Sequence, residues 1–151
     1  MCNLHAAGTI AMMEAALEGL TCPDGSRPLL IAVTQLTSTD EERMHKELNI
    51  TGKLEDVVMH YAQNAAKAGL DGVVCSPLEA QQVHKHCGAS FLTVTPGVRF
   101  ADGEKGDQVR VTTPQQAKTL GADYIVVGRP ITQAPDPVAA YRRCVEEFVG
   151  A

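Results

Sequence analysis

Two arginines stand directly after apolar segments that we predict to be buried strands. Arg99 closes the run Thr-Val-Thr-Pro-Gly-Val-Arg at residues 93–99, and Arg129 lies in the run Ile-Val-Val-Gly-Arg-Pro-Ile-Thr at residues 125–132. In parallel α/β proteins the residues after the strand ends line the ligand crevice, and barrels of this type favour a phosphate site after their last two strands. Because the planar fork of a guanidinium donates two hydrogen bonds to phosphate oxygens, this spacing predicts a site for a small phosphorylated molecule.

Three further residues fit the same site. Gly97 and Gly128 stand beside the arginines, where a backbone would approach a phosphate closely, and Gln108 could add a side-chain amide from the loop after the fourth strand. An alternative remains open for each glycine and arginine pair taken alone, namely that the glycine only turns the chain and the arginine is solvated. Two such pairs at successive strand ends favour the phosphate site.

Polar side chains also follow the second predicted strand, in the segment Thr-Gln-Leu-Thr-Ser at residues 34–38. Their hydroxyl and amide groups could face the same mouth and bind a polar ring. The alternative is a loop whose hydroxyls satisfy its own backbone. His5 follows the first strand and could support the site from the mouth, although a lone histidine is more often structural.

The remaining titratable residues do not indicate a metal site or a general acid. His84 and His86 are two residues apart on a predicted helix, so they face different directions and lack the i, i+4 spacing of a metal-binding pair. Asp71 and Asp123 precede strands, so we expect them at the opposite, structural end of the sheet. No lysine is spaced with a carboxylate so as to form a charged catalytic cluster.

Composition limits the possible partners. The 151 residues are 44% hydrophobic but only 4% aromatic, which is enough for the core of one domain, residues 1–151, and suits close packing of helices on a sheet. A net charge of −5 without a run of Lys or Arg argues against nucleic acid as a partner. The five scattered cysteines form no Cys-x-x-Cys pair, and no apolar run reaches the length of a membrane span. We therefore expect a cytoplasmic protein with reduced thiols and no membrane partner.

Short apolar runs alternate with helix-period segments along the whole chain. This alternation predicts an α/β fold with a parallel sheet and right-handed crossovers, built from about four to five βα units. We predict strands at residues 2–4, 29–33, 72–75, 91–94 and 124–127. We predict helices at about residues 10–20, 40–48 and 54–68, then one opened by Ser76 and Pro77, one opened by Thr112 or Thr113, and one at about 136–149.

Six segments, in order and mostly at strand ends, together resemble the orotidine 5′-phosphate decarboxylase family, most closely its bacterial form. They are HAAG (5–8), AVTQLTS (32–38), GLDGVVCS (69–76), TPGVR (95–99), DQVR (107–110) and VGRPIT (127–132). The resemblance covers nearly the whole chain. It implies a (β/α)8 TIM barrel, usually a homodimer, that converts orotidine 5′-phosphate to uridine 5′-phosphate (UMP) and carbon dioxide without metal or organic cofactor.

Carried over position by position, the resemblance assigns substrate contacts to five residues. It implies that the substrate phosphate is bound by Arg99, Gln108, Arg129 and the backbone at Gly128, and that Thr37 contacts the pyrimidine. The family's catalytic Asp-x-Lys-x-x-Asp segment has no counterpart among the 151 residues.

We therefore interpret the chain as the C-terminal portion of such an enzyme, a partial barrel with no catalytic residue of its own and inactive alone. A missing N-terminal half is a possible partner. Two alternatives stay open. One is a related sugar-phosphate decarboxylase or lyase, and the other is a non-catalytic phosphate-binding or assembly fragment whose open edge pairs with another copy.

Overall fold

Five parallel strands form one sheet in chain order. The computed structural model describes residues 1–102 and 110–150. Each strand pairs with the next, in a register that aligns Leu4 with Ala32, Ala32 with Val73, Val73 with Thr93, and Val94 with Tyr124. The strands are β1 (Cys2–His5), β2 (Leu30–Val33), β3 (Gly72–Val74), β4 (Leu92–Thr95) and β5 (Tyr124–Ile125). The prediction of a parallel α/β sheet in a partial barrel is confirmed.

Helices follow every strand, as the periodicity predicts. They are α1 (Thr9–Leu20), α2 (Glu41–Glu47), α3 (Leu54–Lys67), α4 (Ala80–Cys87), α5 (Pro114–Thr119), α6 (Arg129–Thr132) and α7 (Pro137–Phe148), with 3-10 turns at Ala6–Gly8 and Pro77–Glu79. Two of these helices begin with side-chain caps, since the Asp136 carboxylate accepts from the amides of Val138 and Ala139, and Thr113 forms a reciprocal capping box with Gln116.

Two predicted boundaries differ from the observed ones by more than one residue. Ser76 caps the 3-10 turn Pro77–Glu79, and α4 begins only after that turn. The last strand ends at Ile125 rather than at residue 127. Strand β5 is an end strand of the described sheet and pairs only with β4 there, so few hydrogen bonds extend it.

The core lies between the sheet and the helices that follow it. Small side chains dominate, so α3 can approach the strands closely. The main cluster contains Met13 of α1, Val58, Ala62 and Ala65 of α3, Ala32 and Val73 of the sheet, and Val83 of α4. A second cluster near the C-terminal strands contains Ala80, Val98, Ala117 and Ala122. Within residues 1–102 and 110–150, no helix is long and apolar enough to cross a membrane.

Two aspartates each fasten one pair of neighbouring strands at the N-terminal end of the sheet. Asp71, just before β3, accepts from the Leu30 amide of β2 at 2.7 Å and from both terminal nitrogens of Arg27, at 2.6 and 3.0 Å. Asp123, just before β5, accepts from the amide and the hydroxyl of Thr93 in β4, at 2.7 and 2.9 Å. Both aspartates thus lie at the structural end of the sheet, as predicted from their position before the strands.

We predict that Asp71→Asn lowers the free energy of unfolding near neutral pH by about 1 kcal/mol, because a half-exposed charged hydrogen bond is screened by solvent. The hydrogen bonds from Arg27 lower the pKa of Asp71 below its ordinary value of 3.8. The carboxylate therefore stabilises the fold above that value, and this contribution is lost as the pH falls through the lower folded pKa. Urea denaturation at neutral pH and at about pH 3 measures both effects.

Glu14→Gln on the exposed face of α1 is the matched control, since it removes one negative charge elsewhere. Equal stability losses for the two variants at neutral pH would contradict a fastening role for Asp71.

Candidate functional site

A cleft of about 370 Å³ opens at the C-terminal ends of the strands. Three strand-end segments supply its polar walls, at residues 35–38 after β2, 96–99 after β4 and 126–129 after β5. Because all strands run parallel, side chains that are far apart in the sequence meet at this edge. The cleft is lined by Val33, Gln35, Leu36, Thr37, Ser38, Val74, Pro96, Gly97, Arg99, Val126, Gly128 and Arg129.

Four of the five predicted substrate contacts line this one cleft, namely Thr37, Arg99, Gly128 and Arg129. The fifth, Gln108, lies outside the described residues, as does Asp107. His5 is exposed at the end of β1 and does not line the cleft itself, although its register partner Val33 does, so its supporting role stays a prediction.

The charge of the cleft is one-sided. Two arginines line it, and none of the described lining residues is acidic. The Arg99 backbone is held by a hydrogen bond from its amide to the Thr112 carbonyl, at 2.9 Å. Arg129 begins the one-turn helix α6, where the amides of Ile131 and Thr132 donate to the Gly128 carbonyl. Two arginine side chains in the lining of a cleft of this size favour a small anion as ligand.

The polar segment after β2, residues 34–38, contains both a side chain that satisfies the backbone and side chains that line the cleft. The Thr34 hydroxyl donates to the Val74 carbonyl at 2.9 Å, so it satisfies the backbone and does not face the cleft. Residues 35–38 do line the cleft, and among them Thr37 is only 5% exposed. The Thr37 side chain is thus buried in the wall of the cleft, next to Gly97 of the segment after β4.

The structure requires glycine at position 97 for a reason that the sequence does not reveal. A Cβ at this position would lie 2.6 Å from the Arg110 carbonyl oxygen, and the backbone has a φ of +82°. The close approach of the returning chain therefore already requires glycine here, whether or not a phosphate binds. At Gly128 a Cβ would meet no atom of the described residues within 4 Å, so crowding by that part of the chain does not explain the glycine.

A buried ion pair next to the cleft escaped the sequence analysis. The Arg110 guanidinium binds the Glu79 carboxylate, and the two side chains are only 12% and 8% exposed. The other Glu79 oxygen accepts from the Ser76 amide at 2.8 Å. One sequence signal existed, because Ser76 followed three residues later by Glu79 is the pattern of a capping box. The pairing with Arg110 had no local signal.

The titratable groups of the described residues do not form a metal site or an activated nucleophile. No cluster of three His, Cys, Asp or Glu side chains occurs in residues 1–102 and 110–150. The His84 Nε2 lies 3.3 Å from Asp123 and 3.1 Å from the Gly121 carbonyl, at the structural end of the sheet. Cys75 follows β3, but burial raises its pKa to about 12, so the thiol stays protonated and unreactive at neutral pH.

Comparison with known proteins identifies relatives along nearly the whole chain. The model of the family described as "Orotidine 5'-phosphate decarboxylase / HUMPS family" matches residues 1–144. The orotidine 5'-phosphate decarboxylase of Geobacillus sp. (strain WCH70) is 60% identical over 151 residues, which cover 98% of this chain and 63% of that protein. The enzyme of that name from Lactococcus lactis subsp. cremoris is 54% identical and covers 98% and 64%.

Solved structures show the same relation. The crystal structure of orotidine 5'-phosphate decarboxylase from Lactobacillus acidophilus superposes with a TM-score of 0.80 at 42% identity, over 97% of this chain and 62% of that one. A more distant structure of the same name, from Pyrococcus horikoshii OT3, has a TM-score of 0.59 at 16% identity and supports the fold alone. The chain therefore spans somewhat less than two thirds of the length of the Geobacillus, Lactococcus and Lactobacillus relatives.

We predict that Gly97→Ala destabilises the fold more than Gly25→Ala. Both glycines have a φ near +80°, at +82° and +81°, but an added Cβ meets nothing within 4 Å at Gly25. Gly25→Ala should therefore lose only about 1 kcal/mol of unfolding free energy from backbone strain. Gly97→Ala should lose about 2 kcal/mol more from the contact with the Arg110 carbonyl. Urea denaturation of both variants measures the difference, and equal losses would exclude a close approach at Gly97.

Proposed function

The chain belongs to the orotidine 5′-phosphate decarboxylase / HUMPS family, and from this premise we propose that it is the phosphate- and pyrimidine-binding part of an orotidine 5′-phosphate decarboxylase. The complete enzyme would release carbon dioxide from orotidine 5′-phosphate and leave UMP, a step of pyrimidine biosynthesis. One observation carries the proposal, namely the cleft that Arg99 and Arg129, after neighbouring strands, line together with Thr37.

The two arginines suit the phosphate end of the substrate. A guanidinium stays charged at any physiological pH and offers paired donors that match two phosphate oxygens. Arg99 and Arg129 come from different strand ends, so together they can hold the phosphate from two sides. The proposed role of Gly128 is to bring a backbone amide to the same phosphate, and Gln108 would add its side-chain amide.

Thr37 is proposed to contact the pyrimidine. Its segment lies after β2 and the arginines lie after β4 and β5, so the proposed base contact and the proposed phosphate contacts come from different strand ends. A nucleotide bound in this direction spans the cleft, and its phosphate is held far from the carbon that loses carboxylate. Binding energy at the remote phosphate can then be used to position the base and exclude water there.

The groups that perform the decarboxylation are proposed to lie outside this chain. Its 151 residues contain no Asp-x-Lys-x-x-Asp pattern, and the Geobacillus relative is longer than the region it shares with this chain. We expect the chain alone to bind nucleotide without catalysis. Three further expectations are part of the proposal, namely that the complete protein is cytoplasmic, that it forms homodimers, and that it requires no cofactor.

The alternative of a non-catalytic binder or a sugar-phosphate lyase is not favoured, because the relatives carry the name of the decarboxylase.

We predict that Arg99→Met and Arg129→Met each weaken UMP binding about 10- to 100-fold, because each removes a charge-assisted pair of hydrogen bonds from the phosphate. Titration calorimetry with UMP and with uridine separates the phosphate contribution, since uridine binding should be nearly unchanged. Arg142→Met on the exposed face of α7 is the control for loss of one positive charge. A similar loss of UMP affinity in all three variants would argue against a phosphate site in the cleft.

We also predict that decarboxylation requires a second polypeptide. The assay follows the loss of orotidylate absorbance with the chain alone and with the chain mixed with the part of the Geobacillus relative that it does not match. Activity should appear only in the mixture and should disappear again with Arg129→Met. Activity of the chain alone would show that its own residues include the catalytic groups, contrary to the proposal.

A further inference from the structure

Arg110 connects three of the segments that surround the cleft, although it is not among the cleft-lining residues itself. One terminal nitrogen of its guanidinium binds Glu79, after β3. The other donates to the carbonyls of Gln35 and Leu36, after β2, at 3.3 and 3.1 Å. Its backbone amide donates to the Thr37 carbonyl at 3.4 Å, and its carbonyl lies against Gly97, after β4.

We propose that Arg110 is a positioning residue that sets the place of Thr37 in the cleft by binding the two carbonyls before it while Glu79 holds the guanidinium in place. The inference rests on the proposed function only for its consequence, which is selective recognition of the base. The geometric part stands on contacts within the described chain.

The planar fork of arginine is required for this arrangement. One terminal nitrogen of the guanidinium reaches Glu79, and the other reaches the carbonyls of residues 35 and 36. A lysine ammonium at the end of a flexible stem could pair with Glu79 but could not hold the carbonyls in the same geometry. Burial lowers the pKa of Arg110, and the facing Glu79 carboxylate compensates its charge.

The Arg110 guanidinium should affect the proposed base contact at Thr37 and the proposed phosphate contacts unequally. Leu36 and Thr37 are held by Arg110, whereas the Arg99 backbone is held by Thr112 and Arg129 by its own helix α6. Loss of the guanidinium should therefore displace the proposed base contact and leave the phosphate contacts nearly in place. A residue that only stabilised the fold would weaken both ends equally.

The test compares Arg110→Met and Arg110→Lys with Arg27→Met, which breaks an arginine–aspartate pair at the opposite end of the sheet. Amide NMR spectra of the 151-residue chain report the environment of Leu36 and Thr37 without any ligand. Calorimetry with UMP and with inorganic phosphate reports the two ends of the cleft. We expect both Arg110 variants to shift the amide signals of residues 36 and 37 and to weaken UMP binding about tenfold, with phosphate affinity within about twofold of wild type.

Arg27→Met should lower stability but leave those two signals and the UMP affinity unchanged. The inference is overturned if a folded Arg110 variant keeps the wild-type signals at residues 36 and 37, or if UMP and phosphate lose affinity by the same factor. If Arg110→Met does not fold, Arg110→Lys decides, because it keeps a cation beside Glu79. If the wild-type chain binds neither ligand, the proposed function fails while the spectra still decide the role of Arg110.

Discussion

The parallel alignment of the strands is the constraint on which the rest of this structure depends. Parallel neighbours can be joined only by crossovers, so each of the five strands is followed by at least one helix and all strand ends of one kind lie at one edge. The chain uses its two edges differently. Asp71 and Asp123 fasten strand pairs at the N-terminal edge, while Thr37, Arg99 and Arg129 gather at the C-terminal edge.

Charge is treated differently at these two edges. At the N-terminal edge each carboxylate is satisfied by backbone amides and by side chains close to it, so its charge is used within the fold. At the C-terminal edge the charges of Arg99 and Arg129 share a cleft without an acidic lining residue among those described. Arg110, whose charge is compensated by the Glu79 carboxylate, is not among the residues that line this cleft.

The sequence predicts what depends on local patterns. Short apolar runs gave the strands, and Asp136 and Thr113 before proline gave the starts of α7 and α5, because capping is decided within one helical turn. The meeting of Thr37 with the arginines also followed from the strand ends. The ion pair of Arg110 with Glu79 could not be predicted, since its residues are 31 positions apart in the sequence and no local pattern connects them. The close approach that requires glycine at position 97 is not local either, because it is made by the Arg110 carbonyl oxygen.

Family resemblance and geometry answer different questions about a partial chain. The resemblance concerns an enzyme whose relatives are longer, so by itself it says little about what 151 residues can do. The geometry adds that the groups proposed for the phosphate come from successive units after β4 and β5, which are neighbours both in sequence and in space. A site assembled from neighbouring units needs no contribution from the far side of a barrel. We therefore expect phosphate binding to be the part of the proposed function that this chain carries alone, and we propose that chemistry at the base requires groups from beyond its sheet.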